Sequence, residues 1–522
     1  MSERKGILKA AGVLGSATIL SRIMGMVRDM VTSRLFGAGM DTDAFFAAFQ
    51  IPNLLRRFFA EGALTAAFVP TFSETLVQEG EERARELANL CFTLLTIVIG
   101  LVTILGIVFS PLIVRLMFPG FSATPGKFEL TVVLNRVMFP YLFFISLVAL
   151  CMGILNTLRH FFTPAISTVF LNIAMIVCAL ALRPFYQYPI TALAVGVLVG
   201  GLIQLGLQVP VLWRMGYPIR PRFGFNHPKL KKIALLMLPA TLGVGVYYLN
   251  ITVGNILASL LPQGSVSYLY YAQRLFEFPQ GVFTVSVAQA VLPTMSRQAA
   301  EGKLSDMKDS LNYGVRLTLF ITIPSLVGLM VCAEPLMALL FMGGQFDHDM
   351  ALQSARALIY YSLGLSCVAL VRVLAPAFYA LQDTKTPVVT AFIAFLLNLA
   401  FSLWLMGPLL HGGLALASSL SALVNMSLLF WLLRRKTGLL GGRRILRTAL
   451  SALAGSLLAG AAAWWATGLV DWSLDGQKLV KAGGLALAVL LAVGCYSVAM
   501  YLLRSEEILE FGAILKRKLG RG

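Results

Sequence analysis

Thr42–Glu74, TDAFFAAFQIPNLLRRFFAEGALTAAFVPTFSE, combines two properties that conflict in water and agree in a membrane. Its apolar and aromatic residues run around every face of the helix they would form, the pattern of a buried helix or a membrane span. Yet it carries Asp43, Arg56, Arg57 and Glu61. An Arg at the centre of a bilayer costs about 2.5–3.5 kcal/mol. The stretch therefore reads as a membrane helix whose charges face a wet or protein-lined interior. Pro52 lies between Asp43 and Arg56; it should kink the helix and release a carbonyl beside the charges.

The rest of the 522-residue chain agrees. Hydrophobic residues make up 58% of it and charged residues 13%, about half the charged share of a soluble domain. Mean hydropathy is +0.81. A soluble enzyme, a disordered chain and a fibrous protein are excluded. Fourteen apolar segments are long enough to cross about 30 Å of hydrocarbon. They fall near 10–36, 43–75, 88–118, 131–158, 163–184, 189–213, 233–260, 265–297, 312–342, 353–381, 387–408, 413–433, 446–468 and 479–503. Turn chemistry separates them, as at Pro119-Gly120, Pro262-Gln263-Gly264 and His411-Gly412-Gly413. The expected class is an all-α integral membrane protein; the runs are too long and too unbroken for barrel strands.

The net charge of +18 would suggest nucleic acid in a soluble protein. Here it follows the loops instead. With both termini cytoplasmic, one side holds 27 of the 42 Lys and Arg, and the other holds Lys127, Arg183, Lys478 and Lys481. The positive-inside rule then gives both termini in the cytoplasm. The loops 214–232 and 434–447 carry six Lys or Arg each and should attract anionic membrane lipids. The six cysteines lie in apolar stretches without CxxC spacing, so neither a metal cage nor a disulfide framework is expected. The N-terminal helix carries Arg22 and Arg28 and no cleavage site, so it reads as retained.

The chain repeats itself at an offset of about 220 residues, in the sense of a parallel repeat of six spans each. VPTFSE (69–74) answers to LPTMSR (292–297), SPLIVRLMF (110–118) to EPLMALLF (334–341), and LNTLRHFFTP (155–164) to FYALQDTKTP (378–387). Two six-helix lobes, 1–215 and 216–435, are expected around a central cationic cavity. The remaining residues, 436–522, form two extra C-terminal helices and a basic tail.

Besides Arg183, Arg297 and Arg447, counted above with the loops, eleven Arg fall within the predicted spans, Arg372 among them. Arg34, Arg115, Arg136, Arg316 and Arg356 lie near span ends and can snorkel. Arg22, Arg28, Arg56, Arg57 and Arg274 are deeper and should line the cavity. Nearby acids are fewer: Asp29, Asp43, Glu61 and Glu277. Arg57 and Glu61 stand four apart and Arg274 and Glu277 three apart, so each can pair, while Arg22 and Asp29 share a face. The excess of Arg suits an anion with forked oxygens, such as a phosphate or diphosphate.

The Thr42–Glu74 stretch, preceded by SRIMGMVRDMVTSRLFGAG (21–39), resembles the MurJ/MviN family of lipid II flippases within the multidrug/oligosaccharidyl-lipid/polysaccharide exporter superfamily. YYAQRLFEFPQGVF (270–283) and LAPAFYALQDTKTP (374–387) are similar to the same family. The resemblance covers nearly the whole chain. It implies a transporter and not an enzyme: lipid II, the undecaprenyl-diphosphate-linked peptidoglycan precursor, would be moved from the inner to the outer leaflet of the bacterial cytoplasmic membrane. Such transport serves peptidoglycan synthesis and, through it, cell-wall biogenesis and cell shape. The resemblance associates Arg22, Arg28, Asp43, Asn53, Arg56, Arg57, Glu61, Ser267, Arg274 and Glu277 with the cavity, and the last two helices with a groove for the polyprenyl tail. It implies lipid II as the partner, with other cell-wall synthesis proteins beside it, and no cofactor. Some family members hold sodium through acids on helices 7 and 11. Here those helices carry no Asp or Glu, only Asn250, Asn255 and Asn398, and a hard cation prefers carboxylates. No metal site is expected.

Competing readings make different demands. A flippase for another polyprenyl-diphosphate oligosaccharide would show the same cationic site and is the alternative. A drug antiporter would want an acidic or aromatic cavity. A membrane glycosyltransferase would want a DxD-like site or long catalytic loops, and no loop here is long. Neither GxxxxGK[ST] nor HExxH occurs.

Overall fold

The computed structural model describes residues 2–57, 64–224 and 226–509. Every element among them is helical, apart from an isolated bridge at Gly343 and Phe346. The chain forms two compact units, Met1–Val266 and Ser267–Gly522.

The first unit contains α1 (Ser2–Phe36), α2 (Met40–Arg56), α3 (Leu64–Val108), α4 (Ser110–Met117), α5 (Lys127–Met138), α6 (Pro140–Thr157), α7 (Phe162–Leu182), α8 (Thr191–Arg214) and α9 (Pro228–Ser259). Within it α7 packs on α8 and α1, α3 on α6, and α2 on α5. The second begins with α10 (Ser265–Pro279), a π-turn at Gln280–Thr284 and α11 (Val285–Ala300). It continues through α12 (Leu304–Val331), α13 (Ala333–Leu340), α14 (His348–Leu363), α15 (Leu365–Ala380), α16 (Lys385–Leu409), α17 (His411–Thr437), α18 (Gly442–Thr467) and α19 (Lys478–Leu502). There α16 packs on α17, and α18 on α19 and α12.

Among the described residues, nine helices are long and apolar enough to cross a membrane. The bent pair α14 and α15 makes a tenth if it is one span. Several apolar segments that read as single spans are broken. The segment 88–118 divides at Phe109, where Pro111 enters the first turn of α4. The segment 131–158 is interrupted at Phe139, ahead of Pro140, but Phe139 keeps helical dihedrals and Lys127–Thr157 continues as one span. A proline has no N–H for the helix ladder and starts a new helix more easily than it continues one. Where a loop was expected after residue 75, α3 runs on and turns at Gly80, whose φ of +87° suits a residue without Cβ.

The internal repeat is visible element by element. The paired motifs at 110–118 and 334–341 form α4 and α13, both eight residues long. The paired motifs at 155–164 and 378–387 both end a helix with a left-handed residue, Arg159 (φ 62°) and Gln382 (φ 59°). Each such turn closes by a backbone bond five residues back, His160 N–H to Leu155 and Asp383 N–H to Phe378. Each is followed by a side-chain contact three residues on: His160 Nε2 lies 2.7 Å from Thr163 Oγ1, and Asp383 accepts from Thr386 N and Oγ1 at 3.0 and 2.8 Å.

The basic segment 214–232, which ends in the first turns of α9, is held by acids on α3. Lys229 reaches Glu79 at 2.5 Å, Lys232 reaches Glu74 at 2.7 Å and Arg222 reaches Glu86 at 2.8 Å. The Arg220 and Arg222 amides donate to Asn89 and Thr93. Three of the six cations expected to attract lipid there have protein partners.

Arg316 and Arg136 were expected to snorkel. Arg136 is exposed, with its Nε donating to the Ile107 carbonyl. Arg316 instead is 7% exposed and ion-paired with Glu506 and Glu507, just beyond α19. Glu507 also accepts from Thr448 Oγ1 at 3.0 Å on α18 and from Ser505. A buried guanidinium needs such partners, and the chain after α19 supplies them.

Candidate functional site

In the first unit the charges sort into three clusters. The first is built on α1. Arg28 is 8% exposed, and its Nη2 and Nε both donate to Asp29 Oδ1, at 2.7 and 3.0 Å. Its Nη1 donates to Asn172 Oδ1 on α7 at 3.1 Å. Asn172 in turn donates to the Thr168 carbonyl at 3.2 Å. The partner of Asp29 is its neighbour Arg28, where the seven-residue spacing suggested Arg22. Arg22, six residues earlier, is exposed.

The second cluster surrounds Asp43, near the start of α2. Asp43 is fully buried. Its Oδ2 accepts from Lys127 Nζ at 2.8 Å and from the Gly264 amide at 2.7 Å. Lys127 is 3% exposed, and its ammonium lies 4.2 Å from the centre of the Phe121 ring. Gly264 sits in the expected Pro262-Gln263-Gly264 turn with φ +92°, a left-handed conformation that favours glycine and here aims the N–H at the carboxylate. The segments are brought close at Gly120, where a Cβ would lie 2.1 Å from the Ser259 carbonyl oxygen. Lys127, counted in the sequence among the few cations on the side away from the cytoplasm, is the buried counter-ion of Asp43.

The third cluster is at the other end of α2, thirteen residues on and roughly 20 Å along the axis. Asn53 Oδ1 accepts from Arg56 Nε at 3.0 Å, and Asn53, Arg56 and Arg57 are all half-buried. A helix C-terminus carries partial negative charge, so the two guanidinium groups suit their position. Pro52 is accommodated inside α2 without ending it. Glu61, the expected partner of Arg57, lies outside the described residues.

In the second unit, Ser267, Arg274 and Glu277 all stand on α10. Ser267 is fully buried. Arg274 is half-buried; its Nη2 donates to Tyr270 Oη at 2.7 Å and its guanidinium lies 4.8 Å from the Tyr270 ring centre. Glu277 is exposed and accepts from Gln273 Nε2 at 3.1 Å. The i, i+4 relation wins on both counts over the expected i, i+3 pair.

The structure thus separates groups that sequence alone had pooled. Arg28 and Asp43 are tied into protein partners, whereas Arg22, Arg56, Arg57 and Arg274 are at least partly exposed. Sequence reasoning missed Lys127, Asn172 and Tyr270. An Asn in the middle of an apolar span was a signal, since such polar groups seek a partner.

A family model described as lipid II flippase MurJ matches residues 32–483. A probable lipid II flippase MurJ of Vibrio cholerae is 39% identical over 510 residues, covering 94% of this chain and 96% of that protein. A lipid II flippase MurJ of Burkholderia cenocepacia is 38% identical over 435 residues, covering 82% and 84%. Among solved structures, a lipid II flippase MurJ in an inward closed conformation matches with a TM-score of 0.76 at 27% identity, covering 94% of this chain and 99% of that one. An inward-facing multidrug resistance MATE family transporter of the MOP superfamily shares the fold, with a TM-score of 0.68 at 16% identity over 82% of this chain and 98% of its own.

Proposed function

The chain belongs to the MurJ family of lipid II flippases, and on that premise we propose that it carries lipid II from the inner to the outer leaflet of the bacterial cytoplasmic membrane by alternating access. It is a transporter and does no covalent chemistry. The observation that carries the cationic part of this reading is the end of α2, where Arg56 and Arg57 lie half-buried with Asn53 behind them.

The substrate diphosphate needs cations it can reach. Arg22, Arg56, Arg57 and Arg274 offer forked donors at exposed or half-buried positions, a geometry that matches phosphate oxygens. Arg28 and Asp43 act through other groups: Arg28 fixes α1 to α7 through Asn172, and Asp43 fixes α2 to Lys127 and the Gly264 turn. Ser267 and Glu277 contribute from α10, and Glu61 from beyond α2. The fourteen spans, the lobes 1–215 and 216–435 with 436–522 appended, and both termini in the cytoplasm remain the preferred arrangement, with α18 and α19 holding the polyprenyl chain. Anionic lipids at the basic loops and other cell-wall synthesis proteins are the further partners.

The test uses cells depleted of this protein, scoring the fraction of lipid-linked peptidoglycan precursor reachable from the outer face. The fraction should collapse, return with the wild-type chain, and stay low with Arg57→Ala at normal membrane abundance. Normal transport by Arg57→Ala would remove the cationic-site reading. An unchanged fraction on depletion, in cells without a second flippase, would remove lipid II as the substrate.

A further inference from the structure

The second unit contains a pocket of about 910 Å³ whose lining includes none of the residues assigned above to the substrate diphosphate. The start of α14, the region around Glu334 on α13, and the end of α18 with its following loop form its walls. Asp349, Gln353 and Arg356 follow one another along α14 at spacings of four and three residues, so they share a face. Trp464, Trp465 and Trp472 also line the pocket. Trp464 and Trp465 are 73% and 60% exposed, as side chains at a membrane–water interface are.

The pocket is graded in charge. Its rim is acidic. Asp349 is in the first turn of α14, and Glu334 lies beside it with His348 Nε2 at 2.9 Å. Seven residues further along α14 than Asp349, roughly 10 Å of helix axis, is Arg356. It is exposed and makes no hydrogen bond or ion pair with any described residue. Side chains on a helix lean towards its N-terminus, so the guanidinium is carried back towards the rim. An Arg near a span end is stabilised by reaching the interface or by an anion that joins it there.

We propose that this pocket is a binding site for phosphatidylethanolamine, with the lipid phosphate on Arg356 and the ammonium on Asp349 and Glu334. The order of charges is that of the lipid: in either leaflet the phosphate lies nearer the hydrocarbon and the ammonium nearer water. The acyl chains lie against Leu352, Ile359 and Trp464. A diphosphate or phosphatidylglycerol would bring net negative charge against two rim acids. Phosphatidylcholine would bring a methylated ammonium with no N–H to donate. The site needs only that α14 and α18 cross the membrane, and it stands whatever the transported substrate.

The full-length protein in detergent, exposed to equal amounts of phosphatidylethanolamine, phosphatidylglycerol and phosphatidylcholine, would be examined by native mass spectrometry. Wild type should retain phosphatidylethanolamine over the other two by about fivefold or more. Arg356→Gln should reduce its retention about tenfold, the size of one lost charge-assisted contact, and Arg356→Lys should restore most of it. Asp349→Asn should move the preference towards phosphatidylglycerol. Equal retention of phosphatidylethanolamine by wild type and Arg356→Gln would overturn the assignment, as would a wild-type preference for phosphatidylglycerol. Should Arg356→Gln fail to fold, an unchanged lipid ratio in Asp349→Asn would overturn it equally.

Discussion

The two ends of α2 carry charge for opposite purposes. At Asp43 the carboxylate is fully buried and held by an ammonium and a backbone amide from distant segments. At Arg56 and Arg57 the charges are half-buried and supported by a neighbour, Asn53. One end has its partners built in, and the other keeps charge within reach of solvent. A charge in a membrane helix is therefore not a substrate ligand by default: burial and partners separate the two uses.

Removing the cation from the closed end should have the largest effect on stability. Lys127→Ala leaves Asp43 buried without its counter-ion, and breaking such a pair costs about 3–5 kcal/mol. Thermal unfolding in detergent should show a clear loss, largely recovered in Lys127→Met combined with Asp43→Leu, since apolar replacement of a whole buried pair is often tolerated. A Lys127→Ala protein as stable as wild type would erase the distinction between the two ends. Arg28→Ala tests a second closed site in the same way. Asp29, also buried, would lose its ion pair with Arg28, and a loss of similar size is expected.

Arg57→Ala is the contrasting case. Its unfolding temperature should change little, by the equivalent of less than about 1 kcal/mol, while precursor flipping falls. A stability loss matching that of Lys127→Ala would place Arg57 among the structural charges.

The smallest effect is expected far from either end, at Asp383. Lys436 and the Thr386 cap hold its carboxyl well below the usual range, at about 2. A depressed folded value means the contribution is present above the unfolded value near 3.9 and fades as pH falls through about 2. Asp383→Asn should therefore cost at most about 1 kcal/mol at neutral pH. The difference from wild type should persist at pH 5 and shrink only in strong acid. A difference that disappeared by pH 5 would show that the carboxyl is not held down.

The sequence made some of this legible and hid the rest for identifiable reasons. Apolar composition and span length announced a helical membrane protein, and the motif pairs at 110–118 and 334–341 announced corresponding positions in the two halves; both lie at the ends of segments that read as long spans, 88–118 and 312–342, and both form separate short helices. Arg56 and Arg57 stood out because nothing apolar explains adjacent guanidinium groups in a span. Asp43 and Lys127 were invisible as a pair: they are 84 residues apart, and Lys127 follows Pro125-Gly126, which reads as loop. Arg28 and Asp29 were missed for a different reason. Neighbours on a helix do not normally face one another, and only the length of the Arg side chain lets it fold back. Arg316 looked like a snorkelling residue because its counter-ions come 190 residues later, after the last span.

That contact has a practical consequence for mapping the protein's sidedness. Reporter fusions are commonly placed just after a final helix, which here would mean near Leu503. A junction there would sever Ser505, Glu506 and Glu507 from the chain and leave Arg316 buried without its carboxylates. Such a fusion would be degraded or misinserted for reasons unrelated to the side on which its terminus lies. A junction beyond Leu509 preserves the contact and lets the reporter speak for topology alone.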